Sequence, residues 1–472
     1  MKSAIHLRKQ RELLKPHDYQ NRVIRWAIQR NYGAILLDPG LGKTIIALII
    51  IRLKIFSGKS KGALVVTPLR PAYMTWPAEI EKWDKFAGLT YTILHSEHGK
   101  KEVELRGGYH IYIINPEGIP WLAKQRKLPF DLLIVDESTK FRSSLDRKNV
   151  RGKDMRKIAA KMRYRFLMTG TPVANSYQWI QGQWAILDLG RRFGLIKKHF
   201  LNSFFRPVGK TEWRQYEFME ETLPRFERMV AKDSIRIAAK GNIRTPKIKY
   251  NPIYLKMKNR KYYDDMHKKM LIEVKRDPII ALSASSAWQK CWQIANGAIY
   301  KQDVDQLQPG MAKTSGDFYN LHDQKLDAIE DLLEELNGKP LLTAYNFKHD
   351  KERLKKRFGK DLVILEGSMD KINKIQNKWN AGEIHHLAAY PGTSALGLNL
   401  QKPGNNICFF SMITDNEAFI QFIQRVARQG CPFPEVYVHM LLMKGTVDTL
   451  NLYPNLKKKE GNQQTLLKLI AK

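Results

Sequence analysis

Residues 34–51 read as a strand, a glycine loop and a helix in immediate succession, and few folds can use such a unit. The apolar run Ala34–Leu37 leads into Asp38-Pro39-Gly40-Leu41-Gly42-Lys43-Thr44, and the apolar helix Ile45–Ile51 follows at once. Glycines let backbone N–H groups approach an anion, and the helix start adds the positive end of its dipole. In such a loop the lysine reaches the β- and γ-phosphates of a nucleotide and the hydroxyl binds Mg2+. Gly40, Leu41, Gly42, Lys43 and Thr44 are therefore the expected phosphate-binding residues, although Leu37 stands where the earlier glycine of such a loop usually falls.

A second apolar run, Leu132–Val135, ends in Asp136 and Glu137. After a strand, one carboxylate can hold Mg2+ and its neighbour can orient an attacking water. Thr44 and Asp136 are thus the expected metal ligands, and Lys43, Asp136 and Glu137 the expected catalytic groups of the first half. Upstream, Lys15-Pro16-His17-Asp18-Tyr19-Gln20 offers the Gln20 amide, which can accept from and donate to adenine at once. Near the far end, the stretch from Gln421 to Arg428 carries Arg425 and Arg428 three residues apart. Arginines so placed suit charge on a transferring phosphoryl group, and a basic helix face touching a phosphate backbone is the competing reading.

From about residue 14 to 175, apolar runs alternate with helical patterns, which predicts a parallel sheet with crossover helices. The expected strands are Ala34–Leu37, Ala63–Thr67, Ile111–Ile114, Leu132–Val135 and Arg165–Met168. Ligands of such sheets bind at the carboxyl ends of the strands, where the motifs fall. Trp179–Leu189, Glu217–Ala231, Asn259–Lys275 and Ala281–Ala295 read as helices. A second strand series comprises Leu341–Tyr345, Leu362–Leu365, His386–Ala389, Ile407–Ser411 and Val436–Leu441. The expected organisation is an ATP-binding lobe over 1–176, mostly helical insertions and linker over 177–335, a second lobe over 336–450 and a basic appendage over 451–472.

Lysine and arginine total 80 against 46 acids, a net charge of +34, which suits a nucleic-acid partner. Cys291, Cys408 and Cys431 form no Cys-x-x-Cys pair, so neither a disulfide framework nor a zinc site is expected, and a reducing cytoplasm fits. No N-terminal signal core and no apolar run long enough to span a bilayer is present, so no membrane partner is expected.

Read together, these residues resemble the superfamily-two helicases, and within them the Swi/Snf-like DNA translocases, over residues 14 to about 450. Leu37–Thr44 is similar to the family's Asp-Glu-Met-Gly-Leu-Gly-Lys-Thr loop. Lys15–Gln20, with Val23 and Trp26, is similar to its adenine-reading segment. Val65-Val66-Thr67-Pro68, with Trp76, Glu79 and Trp83, and Ile114-Asn115-Pro116-Glu117 resemble its first DNA-contacting segments. Phe166-Leu167-Met168-Thr169-Gly170-Thr171-Pro172-Val173-Ala174-Asn175 resembles its coupling motif. Ser234-Ile235-Arg236-Ile237 and Arg244-Thr245-Pro246-Lys247 look like segments that close its first helical insertion. Ser394 to Gln401, the spacing Gln421, Arg425, Arg428 and Gly430, and Lys444-Gly445-Thr446-Val447-Asp448 resemble the second half. Thr139, Leu396 and Cys431 depart from the family pattern.

The resemblance implies an α/β fold of two RecA-like parallel-sheet lobes, a helical insertion region between the motif blocks, and ATP with Mg2+ between the lobes. It assigns Lys43, Thr44, Asp136 and Glu137 to one lobe and Arg425 and Arg428 to the other. It puts Thr67, Arg70, Asn115, Thr169, Ser394 and Asn399 at nucleic-acid contacts, and Thr169, Gly170, Thr171 and Gln421 in coupling. The implied protein is a monomeric, compact phage-type or bacterial motor, in the host-cell cytoplasm if phage-encoded. It would translocate on duplex or branched DNA and remodel DNA structures or protein–DNA complexes in replication, recombination or repair. The alternatives are a strand-separating DNA or RNA helicase and a DNA-binding protein whose ATPase has decayed. Lys140, Arg142, Arg147, Lys148 and Arg151 read equally as a DNA track or a solvated face. Trp179, Trp184, Trp213, Trp288 and Trp292 can in principle stack on bases, but Trp288 and Trp292, four apart, favour core packing.

Overall fold

The computed structural model describes residues 11–94, 100–146, 148–208, 215–239, 241–275, 277–302, 314–392 and 398–470. Arg147, Trp213, Ser394 and Leu396 lie outside them. The chain divides into two α/β units, Met1–Ile243 with Asn462–Lys472, and Arg244–Gly461. Each is built on one wholly parallel sheet, the arrangement of a RecA-like lobe.

The first sheet uses β1 (Tyr32–Leu37), β2 (Ala63–Val66), β3 (Tyr91–Ile93), β4 (Ile111–Ile114), β5 (Leu132–Asp136) and β6 (Tyr164–Thr169). A seventh strand, Ser234–Ile237, closes the order β3-β4-β2-β5-β6-β1 at the β1 edge. The strands are apolar without alternation because helices cover both faces. Successive side chains still point to opposite sides. Ala34, Leu36, Leu64, Val66, Leu133 and Val135 join one core, and Ile35, Leu37, Ala63, Val65, Leu132 and Ile134 join the other. The helix α1 (Asp18–Ile28) precedes β1 and α2 (Lys43–Phe56) follows it, with Ile46–Ile51 wholly buried in the second of these cores.

The second sheet runs in the order Lys247–Leu255, Glu435–Met443, Asn406–Phe409, Leu341–Ala344, His386–Ala389, Leu362–Ile364. Pro252 sits in its first, edge strand, where a residue without an N–H costs the ladder least. Among the described residues no helix is long and apolar enough to cross a membrane.

The region expected to be helical is more mixed. The helix expected over Glu217–Ala231 begins at Leu223, with Pro224 in its first turn, where a missing N–H is harmless. Glu217 instead belongs to the strand Gln215–Phe218, paired with Phe205–Val208. The helix expected over Asn259–Lys275 spans Lys261–Lys269 and stops at Met270, whose φ of 56° is left-handed. A hairpin of Leu271–Val274 and Asp277–Ile280 follows, with Ile272 and Val274 buried between exposed Leu271 and Glu273. That period of two was hidden beneath the neighbouring helical pattern. The strand Ser234–Ile237 was likewise unforeseen, as was Lys247–Leu255.

Candidate nucleotide site

Parallel strands bring their carboxyl ends to one edge. Thr67, Asn115, Asp136, Thr169 and the loop after Leu37 all lie at or just beyond those ends. In register, Leu36 pairs with Thr169, Asp136 with Met168 and Val66 with Val135.

The loop between β1 and α2 depends on its glycines. Gly40 and Gly42 hold φ of 85° and 71°, values that favour glycine. A Cβ on Gly42 would lie 2.5 Å from Gln20 Nε2, so no side chain fits without displacing that amide. Gln20 Nε2 donates to the Leu41 carbonyl at 3.2 Å, and the Tyr19 hydroxyl reaches the same oxygen at 3.4 Å. Gln20 Oε1 accepts from the His17 amide at 2.9 Å. Both polar atoms of the Gln20 amide are thus engaged by backbone, and the residue fastens α1 to the loop. Lys43 Nζ donates to the Leu37 carbonyl at 3.2 Å, which keeps the ammonium curled over the loop. Asp38 accepts from Arg236 of the seventh strand and from the Ala239 amide at 2.8 Å.

Asp136 ends β5. Its Oδ2 accepts from Thr67 Oγ1 at 3.1 Å and from Trp76 Nε1 at 3.3 Å. Desolvation and the neighbouring Glu137 push the Asp136 pKa upward, against Lys43 and the two hydrogen bonds, and the net direction is up. Glu137 holds φ of 52°, an uncommon backbone state for a residue with a side chain, and such strain clusters at functional sites. Ser138 Oγ donates to Gln183 Oε1 at 2.7 Å, and Gln183 Nε2 donates to the Pro172 carbonyl at 2.9 Å. Gln183 thereby ties the turn after the acid pair to the Thr169–Asn175 segment. In that segment Thr169 Oγ1 accepts from the Thr171 amide at 3.0 Å. A Cβ on Gly170 would lie 3.0 Å from both the Leu37 carbonyl and Pro39 Cδ, so this backbone packs directly on the phosphate loop. Thr139, in the turn after the acid pair, is fully buried.

The residues expected at nucleic acid are used in varied ways. Thr67 is enclosed, with its hydroxyl turned onto Asp136. Arg70 is buried, and desolvation lowers its pKa. Asn115 Nδ2 donates to Glu117 at 2.9 Å, and Glu117 pairs with Arg151 at 3.2 Å. In the second unit Asn399 is exposed and accepts from Arg428. Gln421 lies in the helix Asn416–Ile423 and donates to Glu417 at 3.3 Å. Arg425 and Arg428 follow the end of that helix, in a turn, so they are not a helix face. Arg425 reaches the Leu398 carbonyl at 3.4 Å. Cys431 is half-buried and its thiol pKa is raised by that burial. Trp292 is buried, 5.4 Å from the Trp288 ring and 4.9 Å from Phe347, which is core packing. Trp184 is buried in the other unit, and Arg142 lies 4.3 Å over the Trp179 ring.

The left-handed glycines at a helix start, the Lys43 ammonium, and oxygen donors on Thr44 and Asp136 fit a nucleotide phosphate chain with Mg2+. Arg236, Gln183 and the Thr67–Asp136 bond are additions that sequence reading did not supply. Arg236 lay within a segment noted only for its resemblance, and nothing local marks Gln183.

The model of the SNF2-related domain matches residues 19–302, more than half of the chain. A relative described as putative protein p41, from Acyrthosiphon pisum secondary endosymbiont phage 1, is 30% identical over 452 residues, covering 92% of this chain and 94% of the relative. Among solved structures, the Sulfolobus solfataricus SWI2/SNF2 ATPase core in complex with dsDNA matches with a TM-score of 0.42 and 17% identity, over 97% of this chain and 99% of that one. With the family model spanning the phosphate loop, the acid pair and the Thr169–Asn175 segment, the chain belongs to the SNF2-related family of superfamily-two ATPases.

Proposed function

We propose that the protein is an ATP-driven motor that translocates on double-stranded or branched DNA without needing to separate its strands. The observation that carries this reading is the packing of three motifs at one sheet edge: Gly170 of the Thr169–Thr171 segment lies against Leu37 and Pro39 of the phosphate loop, and the acid pair stands beside both. Movement in any one of them is felt by the others, which is what coupling hydrolysis to a grip on DNA requires. The net charge of +34 supports a polyanionic track.

When bound, ATP with Mg2+ supplies the transferable phosphoryl group and a Lewis acid. Lys43 would exchange its Leu37 carbonyl for phosphate oxygen, and Thr44 and Asp136 would hold the metal. Thr67 and Trp76 fix the orientation of the Asp136 carboxylate. Glu137 orients water and takes up its proton. Gln20 braces the loop. Arg425 and Arg428 supply positive charge to the transferring phosphoryl group, a contribution of roughly 10³–10⁵ in rate in other NTPases. Arg70, Asn115, Thr169, Ser394 and Asn399 serve DNA contact, and Thr169, Gly170, Thr171 and Gln421 coupling. The proposed setting is a monomer in the cytoplasm that remodels DNA or protein–DNA complexes in replication, recombination or repair.

An ATPase assay across single-stranded, duplex and forked DNA and RNA, run beside strand displacement, tests this reading. Duplex DNA should stimulate turnover without strand release. Stimulation by RNA alone would sink it, and release of strands would convert the motor into a helicase. Glu137→Gln should bind ATP and not turn it over.

A further inference from the structure

β1 has a second basic feature at its other end. The phosphate loop follows Leu37, whereas Tyr32, the first residue of the strand, lines a cavity of about 540 Å³. The length of the strand separates the two by roughly 17 Å. Around Tyr32 stand Arg191, Arg192, Arg225, Arg228 and Lys232. Acids do not balance them. Asp188 and Asp233 are both engaged by Arg192, at 3.8 Å in the first case, and Arg192 also donates to the Met229 carbonyl at 2.6 Å. Arg192 is therefore a structural strut. Arg191, Arg225, Arg228 and Lys232 are exposed, and among the described residues none of the four makes an ion pair.

The fold holds these like charges together. Arg225 and Arg228 are three apart on the helix Leu223–Ala231, which puts them on one face, with Phe226 wholly buried between them in sequence. Arg191 is presented by a turn in which Leu189 and Gly190 are both left-handed, with φ of 60° and 77°. A leucine held in that state is strained, and the Asp188 side chain secures it by accepting from the Gly190 amide at 3.0 Å. The chain thus keeps four unneutralised cations around one concavity at a cost in strain and repulsion.

We propose that this concavity binds the phosphodiester backbone of a nucleic-acid segment, at a place separate from the nucleotide site. Guanidinium forks match phosphate oxygens in pairs, and exposed cations over an open hollow suit a backbone that must be released again. A basic lining with one aromatic ring and no amide side chain suits contact with backbone phosphate oxygens, which position the duplex and carry no sequence information. The inference rests on the DNA reading above for the class of polyanion only.

The test is R225Q/R228Q in the full chain, with duplex binding followed by anisotropy over a salt series. Each phosphate contact contributes about 0.9 to the slope of log K against log salt, so the slope should fall by about two. R225K/R228K should restore it, and turnover without DNA should stay at the wild-type level. Wild-type binding with an unchanged slope in R225Q/R228Q would overturn this inference and leave the motor reading intact. A wild type that binds no nucleic acid would overturn both. Selective loss of polyglutamate binding, with DNA binding unchanged, would reassign the hollow to an acidic protein segment and overturn the proposal as stated.

Discussion

Arg236 donates to Asp38 across 198 residues of sequence, joining the last strand of the first sheet to the phosphate loop. The same guanidinium donates to the Leu36 carbonyl at 3.0 Å and the Ile237 carbonyl at 2.8 Å. Its side chain is 6% exposed and that of Asp38 28%, so the guanidinium is buried while the carboxylate keeps some access to water. One arginine thus satisfies the end of β1, its own strand and the first acid of the loop. The loop's shape is consequently set by a strand that enters the sheet only after the region from 177 to 233.

Arg236→Gln removes the charge and keeps much of the side-chain length. Among the described residues the Asp38 carboxylate then keeps the Ala239 amide as its donor. Asp38 keeps some access to water, so the loss is that of a charge-assisted hydrogen bond, about 1–2 kcal/mol in stability. Urea unfolding would measure it. Nucleotide titration should show weakened binding as well, because the loop loses its anchor. Unchanged affinity in a destabilised variant would reduce Arg236 to a structural role.

Thr67→Val separates two uses of one residue. If the hydroxyl matters for orienting Asp136, its loss removes one of two donors to Oδ2 and leaves Trp76. A hydrogen bond of this kind is worth about 1 kcal/mol, so turnover should fall several-fold. Affinity for duplex DNA should not change. The reverse pattern, weaker DNA binding at full basal turnover, would return Thr67 to direct strand contact.

Much of the candidate nucleotide site could be marked out in the sequence because its residues are local. A strand, glycines, lysine and threonine fall within a dozen residues, and Asp136 and Glu137 directly follow an apolar run. Ile111–Ile114 and His386–Ala389 match their expected strands to the residue, since fully buried parallel strands are short apolar blocks. What escaped was long-range. Gln183 and Arg236 act through partners 45 and 198 residues away. Ser234–Ile237 is half-buried at a sheet edge, with a polar residue at every second position, so it carries no apolar block to mark it. Local pattern could not decide that the Thr67 hydroxyl would face a carboxylate.

Lys325 and Asp448 form a fully enclosed ion pair in the second unit, at 2.7 Å with both side chains 0% exposed. Lys325 also donates to Asn296 Oδ1 at 2.8 Å, and Asn296 to Ser411 at 2.7 Å. Asp448 Oδ2 further accepts from the Met443 amide at 3.1 Å. Lys325→Met should cost about 3–5 kcal/mol, because Asp448 is left charged and dry. Adding Asp448→Asn should recover much of that loss by removing the stranded charge. Thermal unfolding of the single and double variants checks both. A double variant no more stable than the single would mean that the charge is not what the network protects.

The second unit should also weaken in acid, through two neutral histidines. His386 is buried, with Nε2 2.9 Å from Thr343 Oγ1, and burial lowers its pKa to about 4. His322 Nε2 donates to the Ile294 carbonyl at 2.9 Å, and its pKa is also lowered to about 4, first by burial and then by Arg353 and Lys325, with that hydrogen bond and Asp323 opposing. In the unfolded chain each takes up a proton near pH 6.5. Between about pH 6.5 and pH 4 the unfolded state therefore binds more protons, and stability falls as pH falls. Above that window these two groups contribute no slope. Integrated across it, each histidine accounts for about 3 kcal/mol at most. Urea midpoints measured from about pH 7 down to about pH 4.5 should decline, and His386→Gln should flatten part of that decline because glutamine does not titrate. A variant with the full wild-type slope would show that His386 is already protonated within the fold, and the buried neutral imidazole would have to be abandoned.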